Sequence, residues 1–117
     1  MTENINKIVK KVCSAFDITE DDMRRKSRRR DLVYARMICA KYIDSCCNVT
    51  SSEIGKYVNR DSSTVRYYLS LFENEYLYNK QFRTFADKVG NVTLEINSGF
   101  QRELEQELDE IIVYYGF

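Results

Sequence analysis

The block from Thr50 to Val65 constrains this chain more than any other stretch. Thr50-Ser51-Ser52-Glu53 is a capping box, in which the Thr and Glu side chains each satisfy the other's orphan backbone donor, so a helix opens at residue 51. That helix is short, ending near residue 58, and Asn59-Arg60-Asp61 follows as a tight turn. Asp61 and Ser62 are both good N-caps for the next helix. Two short helices joined by three or four residues are the skeleton of a helix-turn-helix. Such a pair needs a small residue where the second helix crosses the first, and Gly55 stands there, although an interior Gly costs about 1 kcal/mol against Ala. The turn needs a left-handed residue, and Asn59 is the best choice after Gly. The second helix needs a β-branched anchor, which Val65 supplies, while Ile54 and Val58 give the first helix its apolar side.

The rest of the first 88 residues is also helical in period. Ile5, Ile8, Val9, Val12 and Phe16 form one face of a helix ending near Asp17, and Thr19 with Asp22 weakly caps a short helix over about residues 20–25. Leu32, Ala35, Cys39, Tyr42, Ile43 and Cys46 share a face over residues 31–46. Val65, Leu69, Phe72 and Tyr76 make the buried stripe of the helix after the turn, and Phe82, Phe85 and Ala86 mark another over about residues 79–88. At Gly90-Asn91 the pattern changes. Val92, Leu94 and Ile96 alternate with Thr93, Glu95 and Asn97, which predicts a short strand. An acidic amphipathic helix follows over 98–115, with Phe100, Leu104, Leu108, Ile111 and Tyr115 on one side. The expectation is an all-α, Trp-repressor-like multi-helix bundle with a helix-turn-helix over residues 1–88. A C-terminal extension over 89–117 carries the short strand and the acidic helix.

Charge separates the same two parts. The chain has 18 Lys+Arg and 18 Asp+Glu, but residues 1–88 hold 17 basic and 12 acidic residues, a balance of +5, and residues 89–117 hold one and six, a balance of −5. Arg24, Arg25, Lys26, Arg28, Arg29 and Arg30 fill six of seven consecutive positions. A basic body suits a polyanion; the alternative is a solvated surface run with no partner. If Val65 faces the core, Ser62, Ser63, Arg66, Tyr67 and Ser70 face outward, a hydroxyl-rich surface suited to the DNA major groove; the same hydroxyls are also ordinary caps.

Other function classes are poorly served. The chain has no His, which removes Ser-His and Cys-His pairs and every His-containing metal site. Cys13, Cys39, Cys46 and Cys47 contain no C-x-x-C pair, so they read as small hydrophobes in a reducing cytosol, or as an oxidation-sensitive Cys46-Cys47 pair. No catalytic residue, metal or cofactor is expected. No apolar run is long enough to span a membrane and the N-terminus lacks signal-peptide character, so the expected location is cytoplasmic, on the nucleoid. Three competing readings are open. One is an adaptor engaging a replication or transcription protein, or a second copy of itself, through 98–115. Another is a nuclease using one of nine Tyr or an acidic residue, although no paired carboxylates have metal-site spacing. The third is an RNA binder, for which no RRM-like or KH-like pattern is present.

The residues Glu53-Ile54-Gly55-Lys56-Tyr57-Val58-Asn59-Arg60-Asp61-Ser62-Ser63-Thr64-Val65 resemble the signature of the C-terminal DNA-binding domain of the bacterial replication initiator DnaA. Lys26-Ser27-Arg28-Arg29-Arg30-Asp31-Leu32-Val33-Tyr34-Ala35-Arg36 resembles that domain's basic loop and the start of its long helix. The resemblance covers about residues 4–88 and implies an all-helical domain reading a short duplex site in replication or its regulation. It implies that Arg28 enters the minor groove, that Arg30 and Arg36 match further basic positions, and that Asp61 and Ser63 match two of three residues contacting bases and backbone. Ser62 stands where the family has a base-contacting His, and Asn59 replaces the turn glycine in a turn of the short form. The expected DNA-contacting set is Lys26, Arg28, Arg29, Arg30, Arg36, Arg60, Asp61, Ser62, Ser63, Thr64, Arg66 and Tyr67. No G-x-x-x-x-G-K-[ST] phosphate loop is present, so the chain fits a phage or mobile-element regulator on that domain's plan or a piece of a longer initiator.

Overall fold

In the computed structural model, residues 2–96 are described, and they form six helices. α1 is Thr2–Phe16, α2 Glu20–Arg24, α3 Arg30–Cys46, α4 Ser51–Val58, α5 Ser62–Tyr78 and α6 Lys80–Ile96. The all-α expectation is met, and each of the six helices expected over residues 1–88 is present.

α3 is the axis of the core and touches every other helix. Its predicted stripe is only part of what it buries: Met37, Ile38 and Ala40 are covered as completely as Leu32, Ala35, Cys39 and Ile43. A helix wrapped on several sides has no single apolar face for periodicity to find. α1 packs Ile5, Ile8, Val9, Val12 and Phe16 into the same core. It stops at Asp17, whose φ of 55° turns the chain so that the Ile18 N–H reaches the Cys13 carbonyl. Thr19 and Asp22 form a reciprocal capping box on α2. Cys13, Cys39 and Cys47 are buried and Cys46 half-buried; burial pushes the Cys13 thiol up to about 11, so it stays protonated and behaves as a hydrophobe.

α5 and α6 meet at a single residue. Asn79 closes α5, its N–H bonding the Glu75 carbonyl, and its side-chain oxygen accepts from the Phe82 N–H to open α6. Its amide nitrogen also donates to the Tyr34 hydroxyl on α3, at 2.7 Å. Phe82, Ala86 and Val89 of α6 are fully buried, and the Tyr42 hydroxyl donates to the Ala86 carbonyl.

The predicted strand at Val92–Ile96 is corrected: these residues are the last turns of α6. Phe82, Ala86 and Val89 step at helical spacing, and Val92 and Ile96 continue it at i+3 and i+7 from Val89. A strand there would have no partner for its backbone groups among the described residues, whereas the helix satisfies them within itself. Gly90 costs the helix about 1 kcal/mol and does not end it. The acidic segment over 98–115 lies outside the described residues. Among the described residues no helix is long and apolar enough to cross a membrane.

Candidate nucleic-acid interface

The helix-turn-helix forms on the expected residues, although of the expected Thr50–Glu53 capping box only the Thr50 half is made. Thr50 Oγ1 accepts from the Glu53 N–H at 3.2 Å to start α4, and Asp61 Oδ1 accepts from the Thr64 N–H at 2.7 Å to start α5. Asn59 between them has φ 56° and ψ 50°, the left-handed conformation. Gly55 is required by contact: a Cβ there would run into the Arg60 carbonyl oxygen and lie 3.7 Å from Val65 Cγ2. Ile54, Val58 and Val65 are completely buried beneath the crossing. Tyr68, rather than Leu69, is the more buried residue on the next turn of α5, with Leu69 half-covered. Ser63, Arg66, Tyr67 and Ser70 are exposed, and Ser62 and Thr64 half-exposed, so the outward face of α5 is the one expected.

The basic stretch between α2 and α3 has no regular backbone pairing of its own. The side chain that makes the most bonds to it is Arg36. Arg36, on α3, is 1% exposed. Its Nε donates to the Met23 carbonyl at 2.6 Å, one terminal nitrogen to the Ser27 carbonyl at 2.8 Å and the other to the Arg25 carbonyl at 2.6 Å. Burial, then the nearby charge of Arg60, lowers its pKa, but an arginine stays charged at neutral pH. Its position corrects the expectation that it belongs with the DNA-facing cations: its three nitrogens are turned to the Met23, Arg25 and Ser27 carbonyls, with the Tyr68 side chain of α5 beside it. The sequence carried a signal for this, since Leu32, Arg36, Cys39 and Ile43 fall at i, i+4, i+7 and i+11, which puts the arginine on the core stripe.

Further bonds tie the loop to the helix-turn-helix. Arg60 donates to the Asn59 carbonyl at 2.7 Å and to the same Arg25 carbonyl at 2.9 Å. The Asn59 side-chain amide donates to the Arg24 carbonyl at 3.0 Å, and Arg24 Nε to the Tyr57 carbonyl at 3.3 Å. Apart from the Arg60–Asn59 bond, these contacts join residues more than thirty apart in the chain, so local spacing does not foretell them.

The result is an open cleft of about 840 Å³ in which the loop and the recognition helix face each other. Lys26 and Arg28 line one side; Asn59, Arg60, Thr64 and Tyr67 line the other, and Arg36 lies beneath. Lys26, Arg28, Arg29 and Arg30 are exposed. Arg29 is partly neutralised by a two-point ion pair with Asp31, at 2.9 and 3.2 Å, and with Arg30 it flanks a separate hollow between α3 and α6. Arg66 rests on Ser63 Oγ at 3.4 Å, one turn from the start of α5. Asp61 spends one oxygen on its cap, and that backbone N–H holds its carboxyl below the usual range. Positive side chains, hydroxyls and an exposed tyrosine around one open cleft make a surface for a phosphate-bearing duplex.

A family model described as "Bacterial dnaA protein helix-turn-helix" matches residues 5–70. The chromosomal replication initiator protein DnaA of Oleidesulfovibrio alaskensis is 40% identical over 62 residues, which are 53% of this chain and 13% of that protein. The protein of the same name from Bacteroides thetaiotaomicron is 29% identical over 109 residues, 92% of this chain and 19% of that protein. The one from Gloeobacter violaceus is 27% identical over 85 residues, 72% and 19% of the two chains. The chain thus spans less than a fifth of the length of these relatives.

Proposed function

The chain belongs to the bacterial DnaA helix-turn-helix family, and from that premise we propose that it binds double-stranded DNA sequence-specifically and without catalysis, in replication initiation or its control. The observation that supports this most is the cleft shared by the basic loop and the start of α5. A duplex seated there meets two different elements at once. The exposed cations Lys26, Arg28, Arg29 and Arg30, with Arg60 at the turn, follow phosphates and the minor groove. Ser62, Ser63, Thr64, Arg66 and Tyr67 on α5 enter the major groove, with Asp61 at its mouth. The protein acts in the cytoplasm, on the nucleoid.

Salt titration tests the reading. Neutralising about five to eight phosphates gives a slope of log K against log salt of roughly −5 to −7, and a flat response, or no duplex binding near ~50 mM salt, rejects it. Arg28→Ala weakens binding across sequences and lowers the slope by about one. Arg66→Ala relaxes preference at one base position, by about 1–3 kcal/mol of discrimination, because an arginine one turn into a recognition helix is placed to read guanine. A selected-duplex profile for Arg66→Ala with every preference intact removes that role.

A further inference from the structure

We infer that Arg36 is a positioning residue: it presets the shape of the loop at residues 25–29 and, through the Arg25 carbonyl it shares with Arg60, couples it to the turn at 59–61, so that loop and recognition helix meet DNA as one unit. This rests on the DNA-binding reading above. The first ground is where the guanidinium spends its donors. Three bonds of 2.6–2.8 Å go to carbonyls of Met23, Arg25 and Ser27, which fixes the path of the chain at three points as it leaves α2. A planar fork with fixed donor directions sets an angle as well as a distance, which an ammonium does not.

The second ground is electrostatic. Among the described residues Arg36 has no carboxylate partner, since the ion pairs there are Arg25–Asp22 and Arg29–Asp31. Burying an unpaired cation is costly, and an apolar side chain would fill the same space at less cost to stability. Carbonyl dipoles satisfy the guanidinium without cancelling its charge, so a positive centre persists beneath the cleft that Lys26 and Arg28 line. A filler would not need this arrangement.

The third ground is the shared acceptor. The Arg25 carbonyl takes one bond from Arg36 on α3, one from Arg60 in the turn and one from the Ser27 N–H within the loop. Its position is therefore set jointly by the core and by the helix-turn-helix. The Asn59 amide bond to the neighbouring Arg24 carbonyl makes a second joint beside it. Arg28 is then held at a fixed offset from Ser63 and Arg66 before any DNA arrives.

The experiment has a free-protein arm and a DNA arm. In the wild-type chain without DNA, amide hydrogen exchange at Ser27 and Arg29 should be slowed, because their N–H groups bond the Arg25 carbonyl and Ser27 Oγ. Exchange at the rate of an open coil overturns the inference with no substitution made. In Arg36→Lys, which keeps the charge and most of the stem, that protection should fall while the amides of α5 keep theirs. Duplex affinity should drop roughly 10- to 100-fold, since the loop must then be ordered on binding. The cost of Arg28→Ala should shrink towards nothing in the Arg36→Lys background, while the cost of Ser63→Ala stays the same in both. Equal Arg28→Ala losses in the two backgrounds mean that Arg36 does not act through the loop, and the inference fails. A wild-type chain with a protected loop that binds no duplex near ~50 mM salt instead removes the DNA reading and leaves the preset loop standing.

Discussion

Between Ser51 and Tyr78 the chain holds its shape with buried apolar side chains, two hydroxyl- or carboxylate-capped helix starts and one obligatory glycine. Between Arg25 and Arg29 it does so mainly with bonds lent by Arg36 and Arg60. Both regions line the same cleft. The first would keep its geometry if the second were removed, since its packing is internal to α4, α5 and the core. The second would not keep its own. An element that carries charge to a polyanion cannot bury that charge, so its rigidity comes from a neighbour.

The largest expected effect breaks the self-sufficient region. Gly55→Ala drives a methyl into the Arg60 carbonyl oxygen, which is backbone and cannot swing aside. Overpacking of this kind costs about 3 kcal/mol, read as a lowered urea midpoint, and it takes duplex binding with it. A melting curve unchanged by this substitution would mean that α4 and α5 do not cross as described. Next, Val65→Ala leaves a cavity under the crossing and costs about 2 kcal/mol. Ser63→Ala, on the exposed face two residues earlier, changes stability by less than ~0.5 kcal/mol and weakens specific binding. Equal melting shifts for the pair would place the wrong face of α5 inward.

The smallest effect treats the two regions alike. Asp22, capping α2 before the loop, and Asp61, capping α5, each have a carboxyl held below the usual range, first by a backbone N–H, of Thr19 and Thr64 respectively. A folded value below the unfolded one stabilises above the unfolded pKa, near ~4, and that stabilisation is lost as pH falls through the folded value. With no histidine in the chain, the urea midpoint should be level from about pH 5 to 8 and decline only below ~4. A decline already between pH 7 and 5 contradicts this.

The same contrast explains what was legible in the sequence. Gly55, Asn59 and Val65 act through local spacing, so the helix-turn-helix, its caps and its outward face could be read from the residues in order. Charge placed the basic loop but not its shape. Arg36 could be counted as a cation and, with equal ease, as a member of the Leu32–Cys39–Ile43 stripe; only the fold shows which loop carbonyls come within its reach. Val92, Leu94 and Ile96 misled for a related reason. Alternation over five residues fits the edge of a helix as well as a strand, and α6 has a core to follow while a strand has no partner among the described residues.

The joint at Asn79 leaves no spare length between α5 and α6, because one residue closes one helix, opens the other and anchors on Tyr34. A single residue inserted there would advance α6 by about 100° in phase and carry Phe82, Ala86 and Val89 off the core together. A change of length at this seam therefore costs the core contacts of α6 as a set. The recognition helix and α6 are inherited as one rod with a fixed bend.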